Sequence, residues 1–195
     1  MKRIPSPHFG RFLRVFLPVL FFLLAGGRDC LARTATIEEF IVTNSSTDLL
    51  VFLTVKNAFT REMEEGIRNG IPVTFTFQVE LSRKRKAWLN KEIVSRAVEQ
   101  TLSYDTLKEE YSVARKGAAG PVFRTRSLAE AKKAMSQVNS LAVLPLAVLV
   151  PDAEYQLRVK ARLDEKTLPF SFHYLIPFWN LWNFETDWYS VEFRY

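Results

Sequence analysis

The chain has 195 residues, with 27 Lys and Arg against 21 Asp and Glu, for a formal net charge of +6. One cysteine and two histidines leave no basis for a disulfide scaffold and argue against a zinc centre built from Cys and His. The seven glycines form neither a Walker loop nor a dinucleotide fingerprint, which removes phosphate-loop chemistry.

The N-terminus reads as an export signal. Lys2, Arg3, Arg11 and Arg14 form a positive n-region, Val15 to Ala25 is apolar, and Gly26-Gly27-Arg28-Asp29 ends the run. The apolar run is about half of the roughly 20 residues a spanning helix needs, and Pro18 weakens it further. Cleavage is expected after Ala32, which gives a signal peptide at 1–32 and a single domain at 33–195. A lipoprotein cut before Cys30 is disfavoured, because Asp29 stands where a small residue is required. An uncleaved anchor is the alternative. In both cases the positive flank stays inside and the domain lies outside, periplasmic or membrane-associated. Removing residues 1–32 takes away Lys2, Arg3, Arg11, Arg14 and Arg28 with Asp29, a net +4, so the domain keeps only +2 of the +6. The basic balance therefore belongs mostly to the signal and does not imply nucleic acid. Cys30 leaves too, so the mature chain is cysteine-free.

Taken in order, Thr36 to Thr43 reads as a strand, Asn44 to Asp48 as a turn, and Leu49 to Phe59 as a second strand completing a hairpin. Thr60 is placed to cap a short helix through Asn69, with Glu62, Glu64 and Glu65 near its positive end and Gly70 as its stop. Ile71 to Ser82 is the clearest strand: Val73, Phe75, Phe77, Val79 and Leu81 alternate with polar residues. A basic tip, Arg83-Lys84-Arg85-Lys86, follows with Trp88. A fourth strand is expected from Ile93 to Tyr104, with Val94, Val98, Leu102 and Tyr104 on its apolar face, then a turn at Asp105–Lys108 and a strand at Tyr111–Ala114. Ser127-Leu128-Ala129-Glu130 is a capping box opening a helix to about Asn139, with Leu128, Ala131, Met135 and Val138 on one stripe. Leu141 to Val150 reads as a buried strand or two short segments broken at Pro145. Tyr155 to Leu163 alternates as clearly as the third strand. Pro169 to Phe184 is aromatic and proline-broken, and Trp188 to Tyr195 closes the chain with Tyr189, Val191, Phe193 and Tyr195 on one face. Short connections between strands favour antiparallel pairing. The fold class is therefore α+β, mainly antiparallel: a sandwich-like, sheet-rich single domain with about two short helices.

Several pieces together resemble the bacterial domain-of-unknown-function family 4390. They are Gly70-Ile71-Pro72-Val73 opening a strand, the tip from Arg83 to Glu92 with Trp88, Leu102-Ser103-Tyr104 followed by Tyr111-Ser112-Val113, Tyr155 to Leu163 with Leu168-Pro169, and Asp187-Trp188-Tyr189. The order of these pieces carries the resemblance. It implies an exported bacterial domain and an association with a membrane sensor kinase of the nitrogen-regulation type, whose genes often neighbour the family. Many members have a second aromatic beside the residue corresponding to Trp88; here Leu89 stands there.

The residues carry little catalytic chemistry. After cleavage His173 is the single histidine, set in an aromatic run without a nearby partner, so a Ser-His-Asp arrangement would depend on it alone. Paired carboxylates remain, since two acids suffice for glycoside hydrolysis: Glu38-Glu39, Glu109-Glu110, Asp164-Glu165 and Glu185 with Asp187. All fall at expected strand ends or turns, where solvated charge is ordinary, and no catalytic residue, cofactor or metal is assigned. The sharpest surface feature is the tip: Arg83, Lys84, Arg85, Lys86 and Trp88 form the candidate partner surface, suited to an anionic membrane or a protein. The C-terminal aromatics, Trp179, Trp182 and Trp188 among them, read as core. The expected function is that of a non-catalytic exported module that binds a protein or membrane surface. The alternative is a small outer-membrane β-barrel, suggested by Tyr189, Val191, Phe193 and Tyr195 alternating up to an aromatic C-terminus.

Overall fold

Val73, Phe75, Phe77, Val79 and Leu81 are all buried, and Phe75 and Phe77 are among the largest side chains sealed from solvent. They lie on the third strand of a computed structural model that describes residues 35–85, 89–116, 121–163 and 184–195. Among the described residues the order is β1 (Thr36–Asn44), β2 (Asp48–Lys56), α1 (Arg61–Arg68), β3 (Val73–Arg83), β4 (Lys91–Asp105), β5 (Glu110–Arg115), β6 (Phe123–Thr125), α2 (Leu128–Ser136), β7 (Gln137–Pro145), β8 (Glu154–Leu163) and β9 (Tyr189–Arg194). Thr34–Tyr195 forms one compact unit. All strand pairs are antiparallel. One sheet has the order β1-β2-β7 and the other β6-β5-β4-β3-β8-β9.

The two sheets share one core. Leu49, Val51, Leu53 and Val55 of β2 belong to the same buried cluster as the apolar face of β3 and Tyr155, Leu157, Val159 and Ala161 of β8. The alternation of β2 and β8 is thus read out as one face in and one face out, and that of β3 from Phe77 onward; at the start of β3 Thr74 and Thr76 are buried too. Phe75 anchors the cluster, meeting Phe184 edge-on with centroids 4.7 Å apart and Phe59 at 5.1 Å. Burying a side chain of this size contributes roughly 1.5–3 kcal/mol.

The helices follow local rules. Thr60 caps α1, its hydroxyl accepting from the Met63 N–H at 3.2 Å. Gly70 ends it at φ +83°, and the N–H groups of Ile71 and Gly70 bond the carbonyls of Gly66 and Ile67 at 3.0 and 2.9 Å, a Schellman closure that needs the left-handed residue. Ser127 caps α2 by accepting from Glu130 N–H at 3.4 Å. The reciprocal half of the expected capping box is relayed: the Ser127 N–H donates to Thr125 Oγ1, and Thr125 in turn donates to the Glu130 carboxylate at 2.5 Å.

Two expectations are corrected. The second helix stops at Ser136, not near Asn139, because Gln137 turns extended (φ −106°, ψ 131°) and the chain joins β2 as β7. Val138 is consequently a fully buried strand residue opposite Leu53, not part of a helical stripe. The segment Leu141–Val150 takes the second of its two expected forms, two short pieces meeting at Pro145: the end of β7 and a 3-10 turn at Leu146–Val148. The barrel alternative also fails. The six-stranded sheet packs its apolar face inward and presents Gln78, Glu80, Arg158 and Glu192 outward, the reverse of a membrane barrel, and the described strands form two separate sheets. Among the described residues no helix is long and apolar enough to cross a membrane.

Candidate functional site

The basic tip lies where β3 leaves the sheet. Arg83 is its last residue, opposite Lys91 of β4 on one side and Tyr155 of β8 on the other. Lys84 continues the alignment: its N–H donates to the Glu154 carbonyl at 2.8 Å and its ammonium meets Glu192 of β9 at 2.7 Å. The Glu192 carboxylate holds the Lys84 ammonium above the usual lysine range. Arg85 is exposed. Lys86 and Trp88 lie outside the described residues. Of the candidate cations, Lys84 is therefore tied down within the fold, while Arg83 and Arg85 make no ion pair among the described residues.

The same end of the domain gathers apolar side chains in solvent. Val150 N–H donates to the Tyr155 hydroxyl at 2.8 Å, Asp152 N–H to the Tyr195 carbonyl at 2.7 Å, and Tyr195 N–H to the Ala153 carbonyl at 3.2 Å. Leu146 N–H donates to the Thr47 carbonyl at 2.8 Å, which draws in the β1–β2 turn. Together with the Lys84–Glu154 bond, these bonds place the 3-10 turn, the start of β8 and the end of β9 beside the end of β3. On these segments Val148 is 54% exposed, Val150 45% and Tyr195 42%. Between the end of β3 and the start of β4, Leu89 is 83% exposed, and Arg85 and Lys91 are exposed too.

The sequence pointed to the tip but missed Val148 and Val150, which an apolar run makes look buried. The available signal was Pro145 and Pro151. A stretch bracketed by two prolines cannot hold its place in a strand ladder, and here it bulges out as a turn.

One member of each described carboxylate pair has a partner within the fold. Glu185 pairs with Lys160, Glu110 with Arg124 at 3.0 Å, and Glu39 accepts from Thr54 Oγ1 at 2.9 Å. Glu185 and Asp187 line a cleft of about 370 Å³ beside Thr36 and Trp188. Trp188, expected in the core, is instead exposed, and cations cover its ring, with Arg158 4.6 Å and Lys160 5.8 Å from the ring centroid. Two-acid hydrolysis needs one acid kept protonated, normally by apolar burial; no carboxylate among the described residues is buried. Among the same residues no group of three or more His, Cys, Asp or Glu could hold a metal ion. His173 and Asp164-Glu165 lie outside the described residues, as do Trp179 and Trp182.

The model of a family described as "Domain of unknown function (DUF4390)" matches residues 32–192. No curated protein matches the chain, and no solved structure does.

Proposed function

The chain belongs to the DUF4390 family, and on that premise we propose that it is an exported, non-catalytic module of the bacterial envelope that docks on an anionic membrane surface. The observation that carries this reading is that exposed Val148, Val150 and Tyr195 stand on segments tied together at the end of the sandwich where β3 leaves the sheet, and that exposed Arg85, Leu89 and Lys91 stand between β3 and the start of β4. Scattered surface hydrophobes are ordinary, but several converging from separate loops mark an interaction surface. Apolar side chains that enter the headgroup region beside cations that stay at its surface are the two parts of interfacial binding. Each cation contributes roughly 1 kcal/mol at an anionic surface.

Export rests on the n-region, apolar run and small-residue cut at the N-terminus. The non-catalytic reading rests on the exposed and paired state of the described carboxylates. The membrane sensor kinase association that the family resemblance implies is part of the same proposal, since a module held at the periplasmic surface is placed to meet such a kinase. A protein partner is the competing occupant of the same surface.

Vesicle flotation of the purified protein tests the reading. Anionic vesicles should carry the protein upward at low salt, with less carried as salt rises, and neutral vesicles should carry less. Charge reversal at Arg85 and Lys91 should abolish flotation. Absence of flotation on anionic vesicles, or flotation indifferent to salt and to both reversals, overturns the membrane reading.

A further inference from the structure

On the opposite flank of the sandwich from β9, the edge of the six-stranded sheet does not close on α2 and β7. It leaves a cavity of about 560 Å³, within the range of small-molecule sites. Its floor is the directly opposed pair Gln100 of β4 and Arg115 of β5, with Val113 and Phe123 beside them on the same face. Its roof is Glu130, Lys133 and Ala134 of α2 together with the free edge of β7.

Two features show why the cavity exists. β7 pairs on one side only, and side chains from the other sheet cap its open carbonyls. Gln100 Nε2 reaches the Gln137 carbonyl at 3.2 Å, Arg115 Nη1 the Asn139 carbonyl at 3.4 Å, and Arg96 Nη1 the Ala142 carbonyl at 3.2 Å. These long polar props hold the sheets apart where apolar side chains would have closed the gap. Second, Val122 and Phe123 at the mouth are 43% and 44% exposed, so the apolar wall is uncovered.

The charge within is uncompensated. Arg115 is half-buried, and burial pulls its guanidinium below the usual arginine range. It has no carboxylate partner among the described residues; one nitrogen donates to Asn139, and the rest of its planar fork is unused there. Lys133 likewise makes no ion pair among the described residues. The single acid of the lining is Glu130, held by the Thr125 hydroxyl. Two cations against one acid leave the lining at +1.

We propose that this cavity binds a small monocarboxylate with an apolar body, its carboxylate on the Arg115 fork and its body against Val122 and Phe123. Arginine matches a carboxylate bidentately, a lining of +1 suits one negative charge, and the uncovered wall suits an aliphatic or aromatic tail. This goes beyond the membrane reading, because the cavity is separate from the tip.

Titration of isotope-labelled protein, followed by NMR, tests it with octanoate, octanol and inorganic phosphate as probes. Octanoate should shift the resonances of Val113, Val122, Phe123 and the Arg115 Nε–H, and the other two probes should not. Arg115→Lys keeps the charge without the fork and should weaken octanoate about tenfold, one charge-assisted bond lost. Lys133→Glu, at an exposed helix position that the fold does not depend on, should weaken it as well. Octanol binding equal to octanoate, octanoate shifts mapping outside the cavity, or no shift with any probe overturns the proposal.

Discussion

The two ends of β4 each present an almost bare leucine, and the two leucines mean different things. At the β4–β5 turn Leu107 is 95% exposed; at the β3–β4 connection Leu89 is 83% exposed. The first stands on a closed turn. Asp105 accepts the N–H groups of Leu107 and Lys108 at 3.0 and 3.1 Å, Glu109 takes the left-handed conformation at φ 51°, and β5 returns directly along β4. Leu107 points outward because every backbone demand of the turn is met without it. The other end is open. From Lys91 to Val98, among the described residues, β4 is paired with β3 alone, and three further exposed hydrophobes stand on the segments tied together beside the end of β3. Exposure of one side chain is therefore no sign of function; exposure shared by unrelated segments at one place is.

The largest expected effect tests whether the two ends share one support. Phe77 lies midway along β3, fully buried and opposite Val98 of β4 on one side and Ala161 of β8 on the other. Phe77→Ala should cost about 3–5 kcal/mol in chemical denaturation. It should raise hydrogen exchange at both ends of β4 alike. A loss confined to one end would show that the sandwich is not one cooperative unit.

The next effect separates the ends. Leu89→Ser should lower the affinity for anionic vesicles about tenfold, the scale of one leucine withdrawn from an apolar contact of roughly 1.5 kcal/mol, with an unchanged melting temperature. Leu107→Ser should change neither quantity. If both substitutions weaken vesicle binding equally, the comparison fails and the tip loses its claim.

What the sequence showed and what it hid follow the same division. The central strands were legible because the apolar face of β3 and of β8 is buried along its length, so the alternation at Tyr155–Ala161 maps directly onto burial, as it does on β3 from Phe77 onward; Thr74 and Thr76 of β3 are buried as well, which the alternation did not show. β9 alternates as plainly, yet Tyr189 is 46% exposed, because an edge strand has no neighbour to cover its flank. The end of α2 was misread because Val138 suits a helical stripe as well as a strand; only pairing with Leu53 decides it. The tip's cations were visible as a run, but the neutralisation of Lys84 by Glu192 joins residues 108 positions apart. The cavity was invisible for a like reason, since Gln100, Arg115 and Lys133 come together only through the packing of α2 and β7 on the sheet.

The smallest expected effect distinguishes the two ends by pH. At the turn, the backbone N–H groups of Lys108 and Leu107 hold the Asp105 carboxyl below the usual aspartate value. A depressed carboxylate contributes stability that is present above its unfolded pKa, about 3.9, and is lost as pH falls through the lower folded value. At the tip, the hydrogen bond that the Lys84 ammonium donates to the Glu192 carboxylate raises Lys84. Its contribution is present below the unfolded lysine pKa, about 10.4, and is lost as pH rises through the higher folded value. Melting temperature followed across the pH range should therefore show Asp105→Asn flattening only the acid limb and Lys84→Met only the alkaline limb. Both groups are solvent-exposed, so screening keeps each change small. An alkaline change in Asp105→Asn, or an acid-only change in Lys84→Met, would mean that the two ends are coupled through β4 rather than held by separate local bonds.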